Sequence, residues 1–360
     1  MRSISDTIER LTRNRTRFAA TAPSTTSLSK LAEAGKNPGG LAGWFQVPKA
    51  SEEPPALVVV LHGCTQTAAG YDYGSGWSKL AEDYGFAVLL PEQSRQNNPN
   101  LCFNWFQPED ITRGKGEVRS IIEMVGRMIA DHGVDPKRIY VTGLSAGGAM
   151  ANALLAAYPE VFAGGAVIAG LPYGVAYSVP EAFDRMRGHG IPAATTLDAK
   201  LRSASAHSGP WPTVSVWHGT SDNTVVAENA RAIVDQWRGV HQLEKKPTSS
   251  QHDDRHLCEI WEDDYGREVI ELHCVTGMAH GTPLDVATGY GRSAPYMLDV
   301  GISSTVQIAR NWGLTPSFQR RVDFSEHAKT TRGGPTRPMA AADGIHDVIE
   351  NALRSAGLMK

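Results

Sequence analysis

Six short hydrophobic runs recur between residues 57 and 275, and segments with a helical pattern separate them. The runs are rich in Val, Ile and Leu and are nearly continuous, which is typical of strands buried on both faces of a parallel sheet. In chain order they are LVVVLH (57–62), FAVLLP (86–91), RIYVTG (138–143), GAVIAG (165–170), TVSVWHG (213–219) and EVIELHCV (268–275). Strands that alternate with helices predict an α/β fold, with a mostly parallel central sheet and helices on both faces.

Two of the intervening segments carry a clear helical pattern. Residues 114–133 place apolar side chains three or four positions apart and end at Gly133, a residue type that commonly caps helix C-termini. Residues 228–240 repeat the pattern. Both segments therefore predict amphipathic helices packed against the sheet.

The same patterns divide the chain into three parts. Residues 1–40 are polar and predict an N-terminal arm, residues 41–314 a catalytic domain, and residues 315–360 a linker followed by a C-terminal helix. Residues 172–212 are too long for an ordinary connection between core strands and predict a cap or a substrate-lining insertion. The predicted C-terminal helix has an apolar side that must pack on its own domain or on a second subunit. In the second case the protein would be a homo-oligomer.

Composition and charge favour no macromolecular or membrane partner. The 360 residues include 35 basic and 38 acidic side chains, for a net charge of −3, without long runs of one sign. This balance gives no electrostatic reason to expect nucleic acid. No stretch approaches the ~20 consecutive apolar residues of a membrane span, and no secretory leader is visible at the N-terminus.

The segment GLSAG at 143–147 follows a predicted strand and precedes a predicted helix. In that context G-x-S-x-G predicts a nucleophile elbow, because the glycines permit a tight turn that exposes the hydroxyl of Ser145 above the sheet. Taken alone, the motif is also compatible with a glycine-rich packing turn, so its partners must decide.

Both expected partners follow Ser145 in the order acid and then base. Asp222 lies five residues after Trp217, just beyond the strand TVSVWHG, and His280 follows the strand EVIELHCV. Parallel strands deliver such loops to one edge of a sheet, where His280 would take the Ser145 proton and Asp222 would orient the imidazole. We therefore predict a catalytic triad of these three residues.

Other acidic and basic side chains compete less well for these roles. Asp235 lies on a predicted helix, Asp253 and Asp254 precede a hairpin, and His273 lies within a strand. None of the four follows a predicted core strand directly, as the triad arrangement requires.

An oxyanion hole needs two backbone N–H groups. The first should come from Ala146, directly after the nucleophile, and the second from the loop after the strand LVVVLH. In that loop Cys64 is the best candidate and Thr65 the next. His62, which precedes the turn, is interpreted as a structural residue that holds the loop.

Signals for metal or nucleotide binding are weak. His252 and His256 are spaced as a helical metal pair would be, but they lie between a polar loop and a strand. The glycines around Ser145 lack the following Lys-Ser/Thr of a phosphate loop. The predicted chemistry needs neither a metal nor an organic cofactor.

The four cysteines fall into two pairs that are local in the sequence, Cys64 with Cys102 and Cys258 with Cys274. Residues 257–275 predict a β-hairpin, which would bring the second pair together. Two disulfides would indicate an extracellular or periplasmic compartment. The absence of a visible leader indicates the cytoplasm instead, so localisation stays open.

Several segments together resemble the poly(3-hydroxybutyrate) depolymerase-like esterases, which are related to some feruloyl and acetylxylan esterases. The resemblance covers about residues 41–313. The segments that carry it are LHGCTQTAAGY, LCFNWF, YVTGLSAGGAMANALLAAYPEVFAGGAVIAGLPYG, WPTVSVWHGTSDNTV, NARAIVDQW and TGMAHGTPL.

The resemblance implies an α/β-hydrolase fold, the Ser145–Asp222–His280 triad and an oxyanion donor at Cys64. It also implies a disulfide between Cys64 and Cys102, and it places Trp105 of the NWF motif in the wall of the acyl cleft. On composition alone, a core aromatic explains Trp105 equally well.

These observations predict a serine ester hydrolase that acts on small esters, oligomers or amorphous polyester of the 3-hydroxybutyrate type. Adsorption modules of secreted polymer depolymerases are not visible, which puts attack on crystalline polyester in doubt. The alternatives are a feruloyl or acetylxylan esterase, a serine peptidase or transacylase on the same fold, and a non-catalytic binding module.

Overall fold

A computed structural model describes residues 27–32, 36–49 and 53–315 of the chain. The start of the predicted N-terminal arm and the predicted C-terminal helix lie outside these ranges. Within them, no helix is long and apolar enough to cross a membrane.

A ten-stranded sheet forms the centre of the described residues, with the strand order β1-β2-β4-β3-β5-β6-β7-β10-β9-β8. Its strands are β1 (Ser29–Lys30), β2 (Ala42–Gln46), β3 (Leu57–Leu61), β4 (Ala87–Glu92), β5 (Ile139–Leu144), β6 (Gly164–Ile168), β7 (Thr213–Gly219), β8 (Ser249–His252), β9 (His256–Glu262) and β10 (Glu268–Val275). The short strands β11 (Thr282–Leu284) and β12 (Met297–Asp299) form a separate pair.

All six strands predicted from the hydrophobic runs are confirmed. They are β3, β4, β5, β6, β7 and β10, and they form one parallel block at the centre of the sheet. The strands outside this block pair antiparallel to their neighbours. The outer strands β1, β2 and β8 were not predicted, since they are short and only partly buried.

Nine helices surround the sheet within the described ranges. They are α1 (Ala68–Ser75), α2 (Trp77–Tyr84), α3 (Pro108–Ile111), α4 (Gly116–His132), α5 (Ala146–Ala157), α6 (Val179–Met186), α7 (Ala194–Ser203), α8 (Glu228–His241) and α9 (Ser304–Asn311). The two predicted helices are α4 and α8, and Gly133 caps α4 in the left-handed conformation with φ 63°.

Two hydrophobic cores lie on opposite faces of the sheet. In β3, Val59 packs into the core beneath α4, α5 and α8, whereas Val58 and Val60 pack into the core beneath α1, α2 and α9. Alternation along a strand buried on both sides produces this division. The predicted placement of helices on both faces is therefore confirmed.

The insertion at residues 172–212 forms α6 and α7 and is held firmly on α8. The Asn229 side chain donates a hydrogen bond to the Arg185 carbonyl at 2.9 Å. Gln236 accepts one from the Tyr173 amide at 2.8 Å and donates one to the Leu197 carbonyl at 3.1 Å. These bonds fix the insertion against α8.

The predicted hairpin is present, but it does not bring its two cysteines into a disulfide. Both thiols are free. Glu262 pairs with Glu268, whereas Trp261 pairs with Ile270, so β10 carries one extra residue at a bulge. A shift of one residue exchanges the two faces of a strand. Cys258 is opposite His273 and Cys274 is opposite Leu257, so the two thiols lie on opposite faces of the sheet.

Candidate active site

Ser145 occupies a strained turn between β5 and α5. Its backbone has φ 58° and ψ −117°, a region that residues other than glycine rarely adopt. Its N–H donates to the Ile168 carbonyl on the neighbouring strand at 2.8 Å, and its own carbonyl accepts from the Ala149 amide at 2.8 Å. These bonds on both sides of the turn hold the strained residue in place.

Two glycines make this turn possible because backbone atoms approach them closely. A Cβ atom at Gly143 would lie 2.4 Å from the Gly147 carbonyl oxygen. A Cβ atom at Gly147 would lie 2.4 Å from the carbonyl oxygens of both Leu61 and His62. Since backbone atoms cannot yield as a flexible side chain can, both positions require glycine.

His280 and Asp222 form a buried pair in the loops after β10 and β7. His280 Nδ1 lies 2.7 Å from Asp222 Oδ2. The second carboxylate oxygen, Oδ1, accepts hydrogen bonds from the amides of Thr224 and Val225, each at 2.9 Å. The carboxylate is thus fixed on one side by backbone and faces the imidazole on the other.

His218 is a second imidazole beside the same carboxylate, and the sequence reasoning missed it. Its Nε2 lies 2.7 Å from the Val225 carbonyl oxygen and 3.4 Å from Asp222 Oδ2. A carbonyl oxygen only accepts, so Nε2 carries a hydrogen that also points near the carboxylate. The signal in the sequence was its position four residues before Asp222, at the end of a core strand.

Asp222 is ionised in this arrangement. Burial alone would raise the pKa of its carboxyl, but hydrogen bonds from His218 and His280 outweigh burial and hold the pKa below its ordinary value. An ionised Asp222 accepts the Nδ1 hydrogen of His280 and leaves Nε2 free to act as a base.

Ser145 and His280 line one cavity of about 90 Å³ beside the insertion. Its apolar side consists of Trp105, Phe106, Leu171, Val179, Ala182, Phe183, Met186 and Val225. Its polar side includes Thr65, Gln66, Asn98, Asn100 and Tyr296. Among the described residues, no Asp, Glu, Lys or Arg side chain lines it.

The loop after β3 leaves one backbone amide available beside this cavity. The Gly63 amide donates to Gln66 Oε1 at 2.9 Å, and the Thr65 amide donates to the Asn100 carbonyl at 2.7 Å. The Cys64 amide donates to no acceptor within residues 53–315. Ala146 begins α5, where the first amides have no acceptor within the helix. Cys64 and Ala146 stay the predicted oxyanion donors, and Thr65 is disfavoured.

A disulfide joins Cys64 to Cys102, with 4.2 Å between the two Cα atoms. It confirms the pairing that the family resemblance implied. Both cysteines line the cavity. The bond therefore ties the loop with the free Cys64 amide to the loop that leads to Trp105.

We expect Cys102→Ser to lower kcat for p-nitrophenyl butyrate at least ~10-fold, because the Cys64 amide would lose its fixed position and a missing oxyanion donor costs ~100-fold or more. Dithiothreitol should lower the activity of the wild type but leave that of Cys102→Ser unchanged. Cys258→Ser, which replaces a free thiol, serves as the control and should match the wild type. Equal kcat in all three proteins would contradict the expectation.

Trp105 lies in the cavity wall, where the resemblance placed it, and only 7% of it is exposed. It packs edge-on against Phe106 with 5.5 Å between ring centroids. It also belongs to a small buried cluster with Ala146 and Leu171. Trp105 therefore has the surroundings of both a core aromatic and a cleft wall, and contact with substrate stays a prediction.

His62 holds the start of the loop after β3. Its Nδ1 donates to the Gly63 carbonyl at 2.8 Å, and its Nε2 accepts from the Gln93 amide at 3.1 Å. Nε2 can accept a hydrogen bond only in the neutral imidazole, so the bond from Gln93 requires that His62 is neutral. Burial lowers the pKa of His62 to about 4, although the hydrogen bond to Gly63 opposes this shift.

This lowered pKa predicts a loss of stability in acid. Between pH 6.5 and pH 4 the unfolded chain protonates His62 and the folded chain does not, so the free energy of unfolding falls as pH falls, by about 3 kcal/mol from this group. His62→Asn keeps a donor for Gly63 but removes the titration. Urea unfolding at pH 7, 5.5 and 4.5 should therefore give a shallower pH dependence for the variant. The pKa of buried His241 is also lowered to about 4. His241 is present in both proteins, so its contribution cancels when their pH dependences are compared. Parallel curves would contradict the assignment.

The pair His252 and His256 has no metal-site geometry. The two residues lie on adjacent strands, β8 and β9, and His256 Nε2 lies 2.9 Å from His273 Nδ1. Across the described ranges, no group of three or more His, Cys, Asp or Glu side chains could hold a metal ion.

The sequence relatives of this chain include depolymerases and esterases. The sequence model of a family described as Esterase PHB depolymerase matches residues 42–245. Poly(3-hydroxyalkanoate) depolymerase C of Paucimonas lemoignei is 42% identical over 82% of this chain and 72% of its own length. A probable acetylxylan esterase A of Aspergillus clavatus is 30% identical over 75% of this chain and 88% of its own length. The solved structure of an acetyl xylan esterase from Aspergillus awamori covers 80% of this chain and 100% of its own, with a TM-score of 0.68 and 26% identity.

Proposed function

The chain belongs to the Esterase PHB depolymerase family and is a carboxylic ester hydrolase with the α/β-hydrolase fold, and we propose that it cleaves 3-hydroxyalkanoate oligomers or amorphous polyester. The observation that carries this proposal is the uncharged cavity onto which Ser145 and the Asp222-paired His280 both open. The 42% identity to a poly(3-hydroxyalkanoate) depolymerase supports this substrate class.

In the first half of the reaction Ser145 Oγ attacks the ester carbonyl carbon. His280 Nε2 takes the hydroxyl proton as the new C–O bond forms, and Asp222 stabilises the imidazolium through Nδ1. The amides of Cys64 and Ala146 donate to the resulting oxyanion, each contributing roughly 3 kcal/mol of transition-state stabilisation. Collapse breaks the ester C–O bond, and His280 returns the proton to the leaving alcohol.

In the second half a water molecule attacks the acyl-Ser145 ester. His280 Nε2 removes a proton from the water, and the same two amides stabilise the second oxyanion. Its collapse breaks the bond between the acyl carbon and Ser145 Oγ, and His280 Nε2 returns the proton to Oγ, which releases the carboxylic acid and regenerates the hydroxyl. The cycle consumes one ester and one water.

The cavity suits a neutral acyl chain with a short hydrocarbon branch. Its apolar side offers contact to a methyl group and chain methylenes. Its Gln and Asn side chains offer hydrogen-bond partners to neighbouring ester carbonyls without a charge. A 3-hydroxyalkanoate chain presents both features in every repeat.

The proposal is tested by initial rates on three substrates: 3-hydroxybutyrate trimers, methyl ferulate and acetylated xylan. The highest kcat/KM should be for the trimer. A trimer rate at background, with rapid release of acetate from xylan, would overturn the substrate assignment.

An acetylxylan esterase is the second candidate, because the structural match to the Aspergillus awamori enzyme covers all of that enzyme and 80% of this chain. A peptidase remains the other enzymatic alternative, because the same fold hosts several acyl donors. Turnover of an aminoacyl anilide without turnover of p-nitrophenyl butyrate would favour the peptidase.

A further inference from the structure

Glu117 is a buried acid outside the cavity, and its side chain binds two residues of the loop between β4 and α3. It is the second residue of α4, and only 1% of it is exposed. Its Oε1 accepts hydrogen bonds from Gln93 Nε2 at 2.5 Å and Asn104 Nδ2 at 2.8 Å. Its Oε2 accepts one from the Asn104 amide at 2.9 Å.

One branch of these contacts leads to the predicted oxyanion loop. The Gln93 amide donates to His62 Nε2 at 3.1 Å, and His62 in turn donates to the Gly63 carbonyl at 2.8 Å. Gln93 Nε2 also donates to the Cys102 carbonyl at 3.1 Å. Through these bonds Glu117 is linked to Gly63, which precedes Cys64, and to Cys102, which forms the disulfide with Cys64.

The other branch leads to the aromatic wall. Asn104 directly precedes Trp105, and Glu117 binds both the backbone and the side-chain amide of Asn104. Asn104 Oδ1 accepts from Asn98 Nδ2 at 3.0 Å, and Asn98 lines the cavity. Glu117 thus fixes the turn from which the Trp105 ring enters the wall.

We propose that Glu117 is a positioning residue that sets the oxyanion loop and the Trp105 wall relative to each other. This inference rests on the proposed function, since it concerns the same cleft. Neither Glu117 nor Gln93 nor Asn104 lines the cavity, so each acts through the residues it holds.

The position favours an acid over an amide. Three N–H donors converge on two oxygens, and a carboxyl group can accept all three, whereas the NH₂ group of a glutamine would face at least one donor. Burial, with a further contribution from the nearby Asp110, raises the pKa of Glu117 to about 8. The hydrogen bonds from Gln93 and Asn104 favour the charged carboxylate and oppose this shift, and a glutamine cannot accept all three.

The test compares Glu117→Gln with Asp72→Asn, a second buried acid whose carboxylate binds only Ser78 among the described residues. Steady-state kinetics use p-nitrophenyl acetate and butyrate, well below each unfolding midpoint. Inhibition by an alkyl trifluoromethyl ketone, which forms a tetrahedral adduct with a serine nucleophile, reports the oxyanion geometry.

For Glu117→Gln we expect kcat to fall about tenfold on both esters and the trifluoromethyl ketone to bind more weakly by a similar factor, a fraction of the effect of removing an oxyanion donor. KM should rise more for butyrate than for acetate, because the longer acyl chain contacts the displaced wall. Asp72→Asn should lose stability while keeping the kinetic constants and the inhibition constant of the wild type.

Two further variants separate the branches and replace Glu117→Gln if that protein does not fold. Gln93→Met should lower kcat and weaken binding of the trifluoromethyl ketone. The ratio of the KM values for the two esters should change little. Asn104→Ser should change the KM ratio more than kcat. The proposal would be overturned if these variants kept the kcat, KM and inhibition constant of the wild type. It would also be overturned if Asp72→Asn lost as much kcat and ketone binding as they do. Absence of ester turnover in the wild type would instead overturn the proposed function.

Discussion

Replacing Ser145 with alanine is expected to lower kcat for p-nitrophenyl butyrate by about 10⁵- to 10⁶-fold, the loss typical of removing a serine nucleophile. The reason is local. Ser145 alone occupies the strained turn between β5 and α5, with φ 58°, so no neighbouring hydroxyl can take its place. The measurement is the steady-state rate of p-nitrophenolate release by purified protein, with folding checked by thermal unfolding.

The control for this variant is Ser75→Ala. Ser75 is also buried, and its Oγ has no hydrogen-bond partner among the described residues, so its removal should cost neither activity nor stability. If Ser145→Ala keeps more than about 1% of the wild-type kcat, the acyl-enzyme mechanism is wrong. If the wild type itself releases no p-nitrophenolate, the binding-module alternative gains support.

Asp222→Asn is expected to lower kcat by about 10⁴-fold while leaving the fold intact. Asp222 Oδ1 accepts hydrogen bonds from the amides of Thr224 and Val225. An asparagine would place its carbonyl oxygen at the Oδ1 position to accept the same two bonds, so its NH₂ group would face His280. His280 Nδ1 would then accept a hydrogen bond instead of donating one. The imidazole hydrogen would move to Nε2, which could no longer take the Ser145 proton.

Asp235→Asn is the matched control, since Asp235 was a competing candidate for the acid. Its Oδ1 lies 2.5 Å from Arg238 Nη2 on the same helix. Asp235 does not bind His280, so its replacement should leave kcat unchanged. The kcat values should be measured from pH 6 to pH 9. Full activity of Asp222→Asn, or a comparable loss in Asp235→Asn, would contradict the assignment.

Much of this architecture could be predicted from the sequence because burial leaves a strong pattern. Strands covered on both faces must be nearly continuous in apolar residues, so runs such as LVVVL marked the parallel block directly. Once those strands were located, the loops with Ser145, Asp222 and His280 were expected at one sheet edge. The disulfide between Cys64 and Cys102 came from the family resemblance and not from spacing.

The remainder depends on contacts that a single sequence does not encode locally. The proposed pairing of Cys258 with Cys274 was wrong because a bulge of one residue reverses the faces of a hairpin strand, and hydrophobicity in these partly polar strands does not mark it. Glu117 lies inside the predicted helical segment 114–133, and nothing nearby in sequence shows that Gln93 and Asn104 donate to it. His218 was overlooked although its position four residues before Asp222, at the end of a core strand, is a local signal.

The absence of charged side chains from the described lining of the cavity also bears on how product leaves. Hydrolysis converts a neutral ester into a carboxylic acid that is ionised at neutral pH, and its carboxylate meets no Lys or Arg side chain in this lining. The cleft therefore holds its substrate better than it holds the acid it forms. We expect release of the acid to be fast and inhibition by accumulated 3-hydroxyacid to be weak at neutral pH, and to strengthen as the medium becomes acidic enough to protonate it.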